Sequence, residues 1–155
     1  MVALPQSGGC LCRAVRYQLN AAPLLVYACH CHDCQTRSGA AFTLSIVVRS
    51  ADVSVSGPVE AVRRSRRLGR TVEQSYCPQC RVPIFARAIA ASEFMTLLAG
   101  ALDDASWVMP IAQTFVESAI PWAVIPGVRA VPWDRFDYVG LGREWAASAP
   151  AFAPP

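Results

Sequence analysis

Seven cysteines in three tight groups limit what this chain can fold into more than any other feature. Cys10 and Cys12 are separated by one residue, Cys29, Cys31 and Cys34 share one short stretch, and Cys77 and Cys80 bracket Pro78-Gln79. The segment from Met1 to Gly9 lacks the charged and apolar regions of a signal peptide, and no apolar run reaches the length of a membrane helix. The expectation is a cytoplasmic protein with no membrane partner. In such a reducing compartment, an odd number of grouped cysteines reads as metal ligation before disulfides.

Zinc takes four tetrahedral ligands, and thiolates one or two residues apart grip one ion when the backbone between them makes a tight knuckle. Cys77-Pro78-Gln79-Cys80 is such a knuckle and needs two further ligands, which Cys10 and Cys12 can supply. The expected site is a closed, structural four-thiolate zinc. Each pair also has a plainer reading, a redox dithiol for Cys77 and Cys80 or two core cysteines for Cys10 and Cys12.

The middle group differs, because Cys29-His30-Cys31-His32-Asp33-Cys34 offers three thiolates and no cysteine remains to make a fourth. Three protein ligands with an open position is the pattern of a reactive zinc. The competing reading is that His30, His32 or Asp33 closes the shell. Three thiolates on a divalent cation leave a net charge of about −1, a poor centre for activating water but a good one for exchanging a soft ligand. The predicted task is therefore the handling of thiols.

Other chemistries are excluded by what is missing. All fourteen basic residues are arginine, which rules out Schiff-base lysines and the phosphate-binding lysine of a P-loop. Both histidines lie inside the middle cysteine group, so a conventional hydrolase triad has no free base. Five arginines fall between Arg63 and Arg70. They read first as a solvated hairpin, then as ligands for the carboxylates of an anionic thiol, and last as phosphate contacts. A net charge of only +3 argues against nucleic acid as a partner. Arg37, three residues past Cys34, is the arginine expected beside the reactive zinc and its substrate.

A chain of 155 residues, 54% hydrophobic and 16% charged, has material for one compact core. Alternation at Val15-Tyr17-Leu19 and Val53-Val55 predicts half-buried strands, and Leu24 to Ala28, Phe42 to Val48, Thr71 to Tyr76, Pro83 to Ala88, Phe94 to Ala99 and Gln113 to Glu117 are further candidates. A helical turn is expected from Asp33 to Gly39, with no long amphipathic helix anywhere. After Pro110 the chain reads as irregular, with Trp107, Trp122, Trp133 and Trp145 as core or interface anchors. The expected division is a domain over 1–145 and a mobile Ala/Pro-rich tail over 146–155.

Ser7-Gly8-Gly9-Cys10-Leu11-Cys12 with Val15-Arg16-Tyr17, Cys29-His30-Cys31-His32-Asp33-Cys34-Gln35 with Arg37 and Gly39, and Cys77-Pro78-Gln79-Cys80 together resemble the glutathione-dependent formaldehyde-activating enzyme family, also called the GFA or CENP-V domain family. The resemblance runs from about Gln6 to Trp122. It implies a mainly β, Mss4-like (β-tent) fold of short antiparallel strands with two zinc sites: a structural zinc on Cys10, Cys12, Cys77 and Cys80, and a catalytic zinc on Cys29, Cys31 and Cys34. It also implies a carbon-sulfur lyase that forms S-hydroxymethylglutathione from glutathione and formaldehyde, or works on a similar thiol and small aldehyde. The alternative it carries is a non-catalytic zinc scaffold or interaction module of the CENP-V or Mss4-like kind. A homodimer remains open. Two departures stand out. The family places glycine directly after the first pair and after the knuckle, where this chain has Arg13 and Arg81. The family also carries a histidine shortly after the proline of the 110 region, where the nearest residue here is Gln113.

Overall fold

The computed structural model describes residues 1–65 and 69–153. Its strands are β1 Val2–Ala3, β2 Gln6–Gly9, β3 Arg16–Leu19, β4 Leu25–Cys29, β5 Thr43–Arg49, β6 Val53–Ser56, β7 Glu60–Ser65, β8 Thr71–Tyr76, β9 Pro83–Ala88, β10 Phe94–Leu98, β11 Ala112–Thr114, β12 Arg129–Ala130 and β13 Phe152–Ala153, with helices α1 His32–Ser38 and α2 Tyr138–Ser148. The mainly β class is as expected. An eight-stranded sheet runs β12-β11-β4-β5-β10-β9-β8-β7, and a three-stranded sheet runs β2-β3-β6. Pairing is antiparallel except where β11 meets β4 and β12 and where β1 meets β13. Among the described residues no helix is long and apolar enough to cross a membrane.

Strand periodicity decides which residues share a face. Cys29 pairs with Thr43 and Tyr27 with Ser45, Ser45 with Leu98, Thr96 with Ala86, and Ala88 with Val72. These residues therefore lie on one face of the large sheet. The intervening residues, among them Val26, Ile46, Leu97 and Phe85, belong to the buried core that also contains Tyr17 and Leu19 of the small sheet. One face of the sheet is thus committed to the core, and the other is partly covered where α2 packs on β4 and elsewhere borders an open cleft.

Helix α1 ends as the sequence predicts. Gly39 takes φ 64° and its N–H bonds the Gln35 carbonyl at 2.8 Å, a left-handed cap that favours glycine. The C-terminal region departs from expectation. Instead of irregular chain followed by a mobile tail, Tyr138–Ser148 forms α2, capped by the Asp137 carboxylate accepting from Val139 N–H, and packs on β4. Beyond it Phe152–Ala153 pairs with Val2–Ala3, so the two ends of the chain are tied together. The segment 146–153 belongs to the domain because Phe152 packs against Trp107 and Trp145, with ring centroids 5.2 and 6.2 Å away. Helix α2 is hard to read in sequence because two glycines interrupt it and only Leu141 and Trp145 are buried. The expected strand from Gln113 to Glu117 stops at Thr114, since Phe115 turns left-handed and a 3-10 turn follows.

Of the four tryptophans, Trp107 and Trp145 are buried as expected, whereas Trp122 is 79% exposed. Trp145 also donates its indole N–H to the Met109 carbonyl at 3.2 Å, so it anchors α2 by both shape and hydrogen bond. Trp145→Ala is expected to cost about 3–5 kcal/mol of unfolding free energy in chemical denaturation. A loss under about 1 kcal/mol would show that α2 is not part of the cooperative core.

Candidate metal centres and the cleft beside them

Two cysteine clusters form among the described residues: Cys10, Cys12, Cys77 and Cys80 in one, Cys29, Cys31 and Cys34 in the other, each with its sulfurs within 4.8 Å of one another. In the first, Cys12 Sγ lies 3.5 Å from Cys10 Sγ and 3.6 Å from Cys77 Sγ. A tetrahedron with metal–sulfur bonds of about 2.3 Å has sulfurs about 3.8 Å apart, so this set is sized for a zinc-like ion.

Matching backbone turns build the cluster. Cys10 N–H bonds the Val15 carbonyl and Cys77 N–H bonds the Val82 carbonyl, both at 3.0 Å. Each turn passes through a left-handed arginine, Arg13 at φ 65° and Arg81 at φ 60°. These are the two positions where the resemblance leads one to expect glycine, the residue that a left-handed backbone favours. Gly9 is required just before the first turn, since a Cβ there would overlap the Val15 carbonyl. Val15 N–H also bonds Cys10 Sγ at 3.2 Å. Hydrogen bonding from the backbone of Cys12 and Val82 draws the Cys80 thiol down to about 6, which favours a thiolate ready for a cation.

The second cluster is local. Cys29 ends β4, Cys31 caps α1, and Cys34 sits in its first turn, where Cys34 and Gln35 N–H both bond the Cys31 carbonyl at 3.0 Å. Hydrogen bonding from the Cys29 and Cys31 thiols, together with the Arg37 charge, holds Cys34 well below the ordinary thiol range. The same sharing, with burial, pushes Cys29 up.

Among the described residues no histidine or carboxylate joins this trio. His30 is turned away and buried, with Nε2 3.1 Å from Gln113 Oε1. The Gln113 amide donates to the Ile125 and Val128 carbonyls at 2.9 and 2.7 Å, so its oxygen faces the ring and His30 must donate from Nε2. Burial lowers the His30 pKa and keeps it neutral. Gln113 therefore serves as a bracket between the cysteine segment and the loop before β12.

The trio opens into a cleft of about 420 Å³ on the face of the large sheet away from the core. Its lining includes His32 and Asp33 from within the cysteine motif, together with Glu117, Arg70, Phe115 and Trp133, which the cysteine spacing does not single out. Arg37 lies at its base, with Nη2 3.9 Å from Cys34 Sγ and Nη1 donating to Gln74 Oε1. Gln74 is oriented by donating to the Phe85 carbonyl at 2.7 Å, which leaves its oxygen for Arg37. The arginine run is divided among several surroundings. Arg63 pairs with Glu73 at 3.2 Å, Arg64 lies 6.0 Å from the Tyr76 ring centroid, Arg70 lines the cleft, and Arg66 and Arg67 lie outside the described residues.

The left-handed arginines provide a direct test of the knuckle geometry. Arg13→Gly is expected to raise the stability of metal-loaded protein by roughly 0.5–1 kcal/mol, and Arg13→Val to lower it by about 1–2 kcal/mol, in thermal denaturation. Equal midpoints for the two variants would refute the strained turn.

Of the comparisons with known proteins, the family model is the one that bears on this arrangement. The chain is 17% identical to a crystallised Rhodobacter sphaeroides protein, a structural genomics target, with a TM-score of 0.49 over 63% of this chain and 87% of that one. None of the curated proteins matches it. The sequence model described as glutathione-dependent formaldehyde-activating enzyme matches residues 5–118, the stretch that holds both cysteine clusters and the floor of the cleft. By that match the chain belongs to the glutathione-dependent formaldehyde-activating enzyme family.

Proposed function

We propose that this protein is a zinc-dependent carbon–sulfur lyase that joins a small thiol, glutathione or a close relative, to formaldehyde or another small aldehyde. The observation that carries the reading is the cysteine trio, which lacks a fourth protein ligand among the described residues and faces a cleft lined by Arg37 and Arg70. The four-thiol cluster is read as the structural zinc and the trio as the reactive one. An ion held by three thiolates supplies a position for a fourth, soft donor.

The side chains of the cleft have the remaining work. Addition of a thiol to an aldehyde forms one sulfur–carbon bond, moves the thiol proton to the aldehyde oxygen, and oxidises nothing. Arg37 offsets the negative charge gathered on the trio, a need that grows when a further thiolate arrives. Asp33 and Glu117 are the cleft carboxylates available to carry the proton or to face the ammonium of an amino-acid thiol. The buried, neutral His30 has its Nε2–H committed to Gln113, so it ties the segment that carries Cys29 and Cys31 to β11. A reducing compartment such as the cytoplasm suits this chemistry, because thiol substrate and thiol ligands both persist there.

A second reading, a non-catalytic zinc module, is favoured by the exposed Trp122 between the partly exposed Ile120 and Val124. Exposed apolar residues of this kind suit a protein contact. The two readings separate on whether the trio binds a thiol.

Cobalt-substituted protein is expected to change its thiolate charge-transfer bands when glutathione is added and to stay unchanged with S-methylglutathione. The same response to both, or to neither, would refute direct coordination. Cys77→Ser is expected to abolish folding, as judged by far-UV circular dichroism, because the four-thiol site joins distant segments. Cys31→Ser is expected to fold and to lose about one metal equivalent in elemental analysis. A folded Cys77→Ser protein would remove the structural assignment.

A further inference from the structure

Arg70 stands directly before β8, and its guanidinium carbon lies 4.7 Å from the centre of the Trp133 ring. Both residues line the cleft that contains the cysteine trio. Among the described residues Arg70 has no carboxylate partner, whereas Arg63 of the same run is paired with Glu73. A guanidinium laid on an indole uses its face, and its N–H donors remain in the plane, pointing outward. The contact therefore tethers the guanidinium beside the ring without consuming its N–H donors, which remain available to a ligand.

Trp133 is itself held firmly. Phe115 and Phe136 lie within 24° of its plane, with centroids 5.4 and 5.5 Å away. Phe115 reaches this position from a left-handed backbone, φ 57°, which costs a bulky residue about 1 kcal/mol or more. Backbone strain of this kind persists only where the surroundings enforce it, and here it sits in the cleft wall. Trp133 and Phe136 lie beyond residues 5–118, so this wall is built by chain outside the family match.

We propose that Arg70 is a specificity-determining residue: it receives, edge-on, a carboxylate of the thiol substrate remote from the sulfur, and so selects carboxylated thiols over neutral ones. The proposal rests on the thiol-binding reading of the cleft. Arg37 cannot fill this role, because one of its amino groups is bonded to Gln74 and the other lies beside Cys34. Arg87 also lines the cleft, but it pairs in register with Glu73 on the face opposite Val72 and Ala88, and its guanidinium lies 5.0 Å from the Phe85 ring centre. Arg70, exposed at the start of β8, is the cleft guanidinium best placed for a remote anion.

The test titrates cobalt-loaded full-length protein with glutathione and with glutathione diethyl ester, which keeps the thiol and masks both carboxylates. Wild type is expected to reach half-saturation of the charge-transfer change at an approximately tenfold lower concentration of glutathione than of ester. Arg70→Gln is expected to narrow that gap to about twofold by weakening glutathione alone, while its thiol-free cobalt bands match wild type. Equal half-saturation in wild type, or an undiminished gap in Arg70→Gln, overturns the proposal and leaves the thiol site standing. Intact cobalt bands that respond to neither compound in either protein overturn the thiol-site reading, and this proposal with it.

Discussion

The convergence of four thiols from two distant turns is the constraint on which the rest of the structure depends. Cys12 and Cys77 are 65 residues apart in sequence, yet their sulfurs lie 3.6 Å from one another. Closing a loop of that length costs about 4 kcal/mol of chain entropy. A bound four-thiolate zinc contributes about 10–16 kcal/mol in small zinc domains, which outweighs the closure cost with a wide margin. The junction also sets where β2 and β9 lie, because each knuckle is continuous with one of them. Arg13 and Arg81 show how strongly the turns are enforced, since both adopt a backbone that arginine alone would avoid.

The cysteine trio makes no comparable demand on the fold. Its residues lie at the end of β4 and in the first turn of α1, so no long loop is closed by bringing them together. What it needs is charge compensation and a shaped space. The register of the large sheet provides the space by turning Cys29, Thr43, Ser45 and Thr96 to the face away from the core. Small side chains at Ala86 and Ala88 keep that face open, and α1 is pinned over its edge by Gln35, which donates to the His30 and Ser118 carbonyls at 2.6 and 2.8 Å.

Charge decides the rest of the cleft. A trithiolate centre is negative once a divalent ion is in place, and an incoming thiolate adds to that charge. The chain meets this with guanidinium groups drawn from different elements, Arg37 from α1 and Arg70 from the start of β8, with the carboxylates of Asp33 and Glu117 nearby. Arginine suits such a site because it stays protonated and presents a planar fork that stacks and hydrogen-bonds at once. The absence of lysine from the chain means that every fixed positive charge has this geometry.

The sequence by itself determined both cysteine clusters, the mainly β class and the glycine cap of α1. Those features are local: ligand spacing, period-two alternation and turn chemistry act over a few residues and leave their mark there. Only the tertiary structure decided that His30 faces Gln113, that Arg70 leaves its run to stack on Trp133, and that 146–153 joins the domain instead of trailing from it. Each of these depends on partners far away in sequence, as Gln113 is from His30 and Val2 from Phe152. Helix α2 was missed for the same reason: its interior glycines weaken local propensity, and Leu141 and Trp145 become a helix face only when a sheet is there to bury them.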